Sequence, residues 1–226
     1  MGVNILSSQG LDGVIRSIPM EELRHMQRVG GLTNALLHIL LRCRHYQDQK
    51  TIFSLFGHFA FYHDIGKAWI PADILGKEEP LTFEEFETIT MHPLYAQGYF
   101  EKNPNVLNVE PPLKQCIFDA AVFHHERWDG SGYPYGISSD TIPLIARVTS
   151  VCDAYDAITH KRPYREAKTH ADACEEIAKH AGTQFDPDIA LIFLENEKDI
   201  GIFNKRLSNQ RTEWEVPDLT TLRGHL

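Results

Sequence analysis

A histidine and an aspartate stand side by side at His63-Asp64, at the end of the apolar run TIFSLFGHFAFYH and ahead of Ile65-Gly66-Lys67. An imidazole and a carboxylate set into an apolar helix are costly unless they bind something. Together they are the nitrogen and oxygen ligands that borderline divalent metals take. Lys67, about one turn after Asp64, is placed to meet a phosphate. A second pair, His124-His125, closes another apolar stretch. Adjacent helical residues point about 100° apart, so these two are expected to serve neighbouring ions rather than one. Asp153 lies on the apolar segment VTSVCDAYDAIT, with Asp156 three residues on and expected to hold a His or Arg in place. Glu21 and His25 stand at i and i+4, one face of a helix, a spacing that suits ligands of adjacent metals. His92, in TMHPLYAQG, completes the set. On their own, Glu21 and His25 read equally as a solvated face in EELRH, and Asp153 and His92 as structural groups.

The elements that must carry these residues read as helices. Leu23, Met26, Val29, Leu32, Leu36, Ile39 and Leu40 recur at helical spacing and predict one helix over 20–45, opened after Pro19. Thr51 to His63 reads as a central, nearly all-round apolar helix. Thr82 with Glu85 is a capping box that opens a helix to about Glu101. Further helices are predicted over Leu113–Arg127, from Pro143 to about His160, over 168–181 and over 187–198. DGSGYPYG, residues 129–136, is a loop whose Gly130, Gly132 and Gly136 permit a tight fold close to a ligand. From Gly201 the pattern weakens, and the last residues are expected to be a tail or a partner-dependent segment. No stretch alternates with period two, so the expected class is all-α. One domain over 1–226 is expected, its core at about 20–195, with no room for a separate sensory domain.

Bulk properties agree. The chain has 226 residues, 42% hydrophobic and 23% charged, with a formal net charge of -9. A strongly acidic chain has no basic footprint for a nucleic-acid polymer, so positive charge for phosphates must come from cations or a few Lys and Arg. Cys43, Cys116, Cys152 and Cys174 form no CxxC and read as buried free thiols of a reducing compartment. The start has no signal-peptide pattern and no apolar run reaches about 18 residues, so no membrane is expected and the location is expected to be cytoplasmic.

HDIGK, LTFEEF with a following His, HHERWDGSGYPYG, ARVTSVCDAYDAIT, RPYR and GTQFDPDI, in this order, resemble the HD-GYP domain, a group within the HD superfamily of metal-dependent phosphohydrolases. The resemblance covers about residues 20–195, and HHERWDGSGYP with RPYR is its most specific part. It implies an HD-domain helical bundle with a buried metal centre and a GYP-containing loop. It also implies hydrolysis of cyclic di-GMP, to the linear dinucleotide or on to GMP. By resemblance the metal ligands are His25, His63, Asp64, His92, His124, His125 and Asp153, with Glu21 accompanying a third metal. His25 is preferred over His38 as first ligand, because HMQRVG keeps an Arg and a Val after the His and Glu21 precedes it by one turn. Lys67, Arg162 and Arg165 are implied to meet the ligand's phosphates, Tyr133 is the tyrosine of the GYP signature, and the two or three divalent ions are implied to be iron or manganese. Regulation is expected to come from a second copy of the chain or a separate protein.

Phosphodiester hydrolysis needs a nucleophile, neutralised non-bridging oxygens and a stabilised leaving oxygen, all of which two close metals supply. Asp64 is the natural bridging carboxylate, and a hydroxide held by the ions replaces any protein nucleophile. Lys67, Arg162 and Arg165 are expected to offset the charge that develops. Tyr133, and Trp128 beside it, are expected to touch the nucleotide. The rivals are hydrolysis of a mixed cyclic dinucleotide or another nucleotide, which keeps every ligand, and a receptor that binds without cleaving, which should have lost some.

Overall fold

The computed structural model describes residues 10–42, 56–161 and 166–209. A short helix α1 (Leu11–Arg16) leads into α2 (Met20–Leu40), which begins directly after Pro19. Leu23, Met26, Val29, Leu32, Leu36 and Leu40 form its buried stripe. Against α2 lie α3 (Phe56–Ala60) and α8 (Leu144–Thr159), which bury Phe59, Ala60, Val148, Val151, Cys152 and Tyr155. Around this centre stand α4 (Ala72–Leu75), α5 (Phe83–Thr90), α6 (His92–Lys102), α7 (Pro111–Phe123), α9 (His170–Lys179), α10 (Pro187–Glu195) and α11 (Glu197–Asn209). Among the described residues there is no strand, only an isolated bridge between Ala181 and Phe185, so the all-α expectation holds. None of these helices is long and apolar enough to cross a membrane.

Three expected boundaries change, each for a local reason. The helix ending at His63 passes at Phe61 into a 3-10 segment, Phe61–Trp69, so HDIGK is wound with three residues per turn. The start of that expected helix, residues 51–55, lies outside the described residues, as does the end of the 20–45 helix beyond Arg42. The predicted helix from Thr82 to Glu101 is two helices meeting at Met91. Its capping box is present, with Glu85 N–H donating to Thr82 Oγ1 at 3.3 Å and Thr82 N–H to Glu85 Oε2 at 2.7 Å. The break comes from Pro93, which has no N–H to continue the ladder to Ile89.

The third change is at the C-terminal end. Residues 201–209 do not fade into a tail but complete α11, which folds back on α2 with Leu207 against Gly31. Asn204 Nδ2 approaches Thr159 Oγ1 at 3.4 Å, and Ser208 Oγ lies 2.8 Å from His160 Nε2. This polar helix is held by one stripe, Ile200, Phe203, Asn204 and Leu207, of which Phe203 and Leu207 are only partly buried. Residues 210–226 lie outside the described residues.

Candidate metal centre

Three histidines are each placed by a backbone carbonyl three or four residues earlier in the chain. The last four carbonyls of an α-helix have no partner within it. His63 Nδ1 donates to Ala60 O at 2.8 Å, the last residue of α3. His124, the residue capping α7, donates from Nδ1 to Ala120 O at 2.9 Å. His92 Nδ1 donates at 2.7 Å to Ile89 O, the carbonyl that Pro93 leaves without its usual N–H. A carbonyl only accepts, so Nδ1 carries the proton in each ring and the Nε2 lone pair points into the centre. His25, from α2, is anchored differently, with Nδ1 2.7 Å from Asp156 Oδ2. Asp156 also receives Arg28 Nε on Oδ1 at 2.7 Å and lies 3.0 Å from His160 Nδ1. The expectation that Asp156 holds a His or Arg is thus met by both.

Asp64 lies between two groups of nitrogens. Its Oδ2 is 3.1 Å from His63 Nε2 and 3.4 Å from His25 Nε2. Its Oδ1 is 3.2 Å from His92 Nε2 and 3.8 Å from His124 Nε2. Asp153 Oδ1 closes the first group at 3.0 Å from His25 Nε2. Asp64, His92, His124 and His125 offer ligand atoms within 4.8 Å of one another, as do His25, His63 and Asp64. Within each group two Nε2 atoms face each other at 3.3 Å, His63 with His25 and His92 with His124. Two lone pairs at that distance repel unless a cation lies between them. The donor set, neutral imidazoles plus carboxylates, therefore fits a divalent metal at either end of Asp64.

The electrostatics favour the same state. Burial, then the charge of His124 and Lys67, lowers His92 to about 3 against the pull of Asp64, and burial and His92 lower His125 to about 3. Burial and neighbouring histidines hold His124 well below the imidazole range. Burial pushes the Asp64 carboxyl up, but Lys67, His63 and hydrogen bonds from His25 and His63 outweigh it and hold it well below the usual carboxylate range. Asp153 behaves alike, with burial opposed and outweighed by His25. Neutral rings beside ionised carboxylates are the protonation states a metal requires.

Some expected placements change. His124 and His125 do not serve separate groups. The helix ends at Phe123, so the 100° rule lapses and the chain turns both rings, with centroids 4.1 Å apart, to the Oδ1 side of Asp64. Glu21 does not join the centre. Its side chain is 70% exposed and paired with Arg24 at 2.6 Å. Glu22, which the sequence reading passed over, is the buried acid of that turn, and its Oε2 lies 2.6 Å from Lys67 Nζ. One 3-10 turn brings Lys67 back over Asp64, 2.7 Å from its Oδ2. His38, the competing first ligand, is exposed. Arg162 and Arg165 lie outside the described residues.

The GYP loop braces the second group. Tyr133 stacks on His125 with centroids 4.7 Å apart and planes at 25°. Gly132 lies against the chain of His125 to Arg127, where a Cβ would stand 2.4 Å from Arg127 N. Trp128 does not face the centre. It lies under the Arg147 guanidinium, and Arg147 in turn bonds Asp186, the N-cap of α10. The amides of Trp128 and Asp129 donate to Gln184 and Thr183, so the GTQFDPDI motif is the prop of this loop.

A sequence profile of the HD domain family matches residues 48–189. A probable cyclic di-GMP phosphodiesterase of Vibrio cholerae is 36% identical over 177 residues, covering 77% of this chain and 40% of that protein. A cyclic di-GMP phosphodiesterase of Thermotoga maritima is 34% identical, covering 85% and 49%. A 3'3'-cGAMP-specific phosphodiesterase of Vibrio cholerae is 30% identical, covering 76% and 31%. The chain spans about half or less of the length of these relatives. A solved HDG"Y"P protein from Bdellovibrio bacteriovorus shares the fold, with a TM-score of 0.56 at 19% identity, over 77% of this chain and 51% of that one. The chain belongs to the HD domain family.

Proposed function

We propose that the chain is a metal-dependent phosphodiesterase that opens cyclic di-GMP to the linear dinucleotide, GMP being the further product. The observation that carries this reading is Asp64, one carboxylate with an oxygen toward each of two histidine groups. His25, His63 and Asp153 would hold one divalent ion and His92, His124 and His125 the other, with iron and manganese the proposed metals. Such a pair neutralises phosphate charge, acidifies a water and steadies the leaving oxygen.

The chain's own side chains do the rest. Asp64, with an oxygen toward each group, would hold both ions. Lys67, held between Glu22 and Asp64, exchanges one carboxylate for a phosphate oxygen as substrate arrives. Asp156 orients His25, and Tyr133 keeps His125 turned inward. Arg162 and Arg165 are proposed to hold the phosphates. The names of the Vibrio cholerae and Thermotoga maritima relatives support cyclic di-GMP as substrate. The 3'3'-cGAMP-specific relative keeps the mixed dinucleotide as the second reading. We place the reaction in the cytoplasm, governed by a second copy or a separate protein.

The test is anaerobic purification, metal analysis, and incubation with cyclic di-GMP and with 3'3'-cGAMP, products being resolved by chromatography. Linear dinucleotide or GMP from the first substrate is expected. No product from either substrate, with metals bound, overturns the reading.

A further inference from the structure

A second cluster of ligand-type side chains lies away from this centre. His170 opens α9, Cys174 follows one turn later on the same face, and Glu197 opens α11. Their ligand atoms all lie within 4.8 Å of one another. From these three residues we infer a second metal site, specific for a thiophilic divalent ion of the zinc class, that ties the start of α11 to α9.

The chemistry of the donors carries this. Nitrogen, thiolate sulfur and carboxylate oxygen are a mixed set that zinc accepts and that magnesium and calcium do not. The spacing is also right. Tetrahedral bonds of about 2.3 Å to sulfur and about 2.0–2.1 Å to nitrogen put the two donors roughly 3.6 Å apart. Cys174 Sγ lies 3.6 Å from His170 Nε2. The other ring nitrogen is anchored, with Nδ1 2.8 Å from the Tyr155 hydroxyl. Cys174 Sγ also lies 3.8 Å from Nδ1, so the sulfur stands beside the ring, and an Nδ1–H donated to the Tyr155 hydroxyl leaves Nε2 unprotonated as the ring's ligand atom. Cys174 is buried while His170 and Glu197 are half-exposed, so the three present a buried thiol with an open side for the ion and a fourth ligand from solvent.

Without an ion, burial and the Glu197 carboxylate push the Cys174 thiol up to about 11. A metal would take the place of that proton, turning an unfavourable thiolate–carboxylate pair into two ligands. The ring of His170 also seats on Gly201, where an added Cβ would stand 3.2 Å from it, so the ring is held on α11 as well as α9.

Cobalt(II) tests this, because only a thiolate ligand gives a sulfur-to-cobalt charge-transfer band and the first centre has no cysteine among its ligands. The full chain is stripped with chelator and titrated with cobalt under anaerobic conditions. We expect a near-ultraviolet charge-transfer band whose final amplitude corresponds to one thiolate-bound cobalt per chain and which zinc displaces. The band should persist in Asp64→Asn and in Cys152→Ser, and vanish in Cys174→Ser. His170→Asn, with helical circular dichroism retained, should lose it as well. Absence of the band in the unmodified chain, or its persistence in folded Cys174→Ser, overturns the assignment. Neither result bears on phosphodiester hydrolysis.

Discussion

Gly66 lies so close to His92 that a Cβ at position 66 would stand 1.8 Å from the His92 carbonyl oxygen. The HDIGK segment and the first turn of α6 therefore share one contact, and it sets where His92 enters the centre. Gly66→Ala is expected to lower stability by about 3 kcal/mol or more, because backbone rather than a yielding side chain must move. Denaturant unfolding reads the loss. Metal analysis of the surviving folded protein should show the Oδ1-side group depleted.

Asp156 touches no proposed metal or substrate, yet four nitrogens from His25, Arg28 and His160 converge on it. Asp156→Asn should weaken metal binding or activity by about 10–100-fold, the usual cost of losing the partner that orients a ligand. A purely structural role would lower the melting temperature and leave the metal affinity of the folded fraction unchanged. Measuring that affinity separates the two.

Tyr133 offers a ring to His125 rather than a hydroxyl to a partner. Tyr133→Phe should keep both metals and activity within a few-fold. Tyr133→Ala should lose about 10–100-fold by releasing His125. Equal damage from both would return the hydroxyl to a substrate-binding role.

The lowered imidazoles make the metal-free protein sensitive to acid. Below pH about 6.5 the unfolded chain takes up protons that folded His92, at about 3, refuses, so stability falls as pH drops through that window and is level above it. Acid unfolding followed by circular dichroism should show a loss of a few kcal/mol across this range. Metal-loaded protein should hold its stability to lower pH, because the ion competes with the proton for the same lone pair.

Much of the centre was legible because its residues break a pattern. His63-Asp64, Asp153 and Asp156 are polar groups on apolar segments, and the Thr82–Glu85 cap is a fixed four-residue signal. Glu21 and Glu22 both fall within one turn of His25. Residues i+3 and i+4 share a face, and only burial against α8 and the HD segment decides between them. The grouping of His124 with His125 depended on where α7 ends, which spacing rules do not fix. The 3-10 winding of HDIGK is likewise imposed from outside, by α6 seated against Gly66. His92 and His124 do carry a readable sign, a histidine just past a helix end.

His25 and Asp156 are 131 residues apart in the chain. Closing so long a loop costs entropy that no local contact repays. α2, which carries His25, also lies outside the 48–189 match, so that match leaves out one member of the centre. The order of events during folding follows. Helix ends can fix His63, His92 and His124 early and locally, whereas His25 arrives only when α2 docks on α8. A metal signal that depends on His25 is therefore a clock for the last step of folding, and stopped-flow mixing with metal should show it lagging behind helix formation.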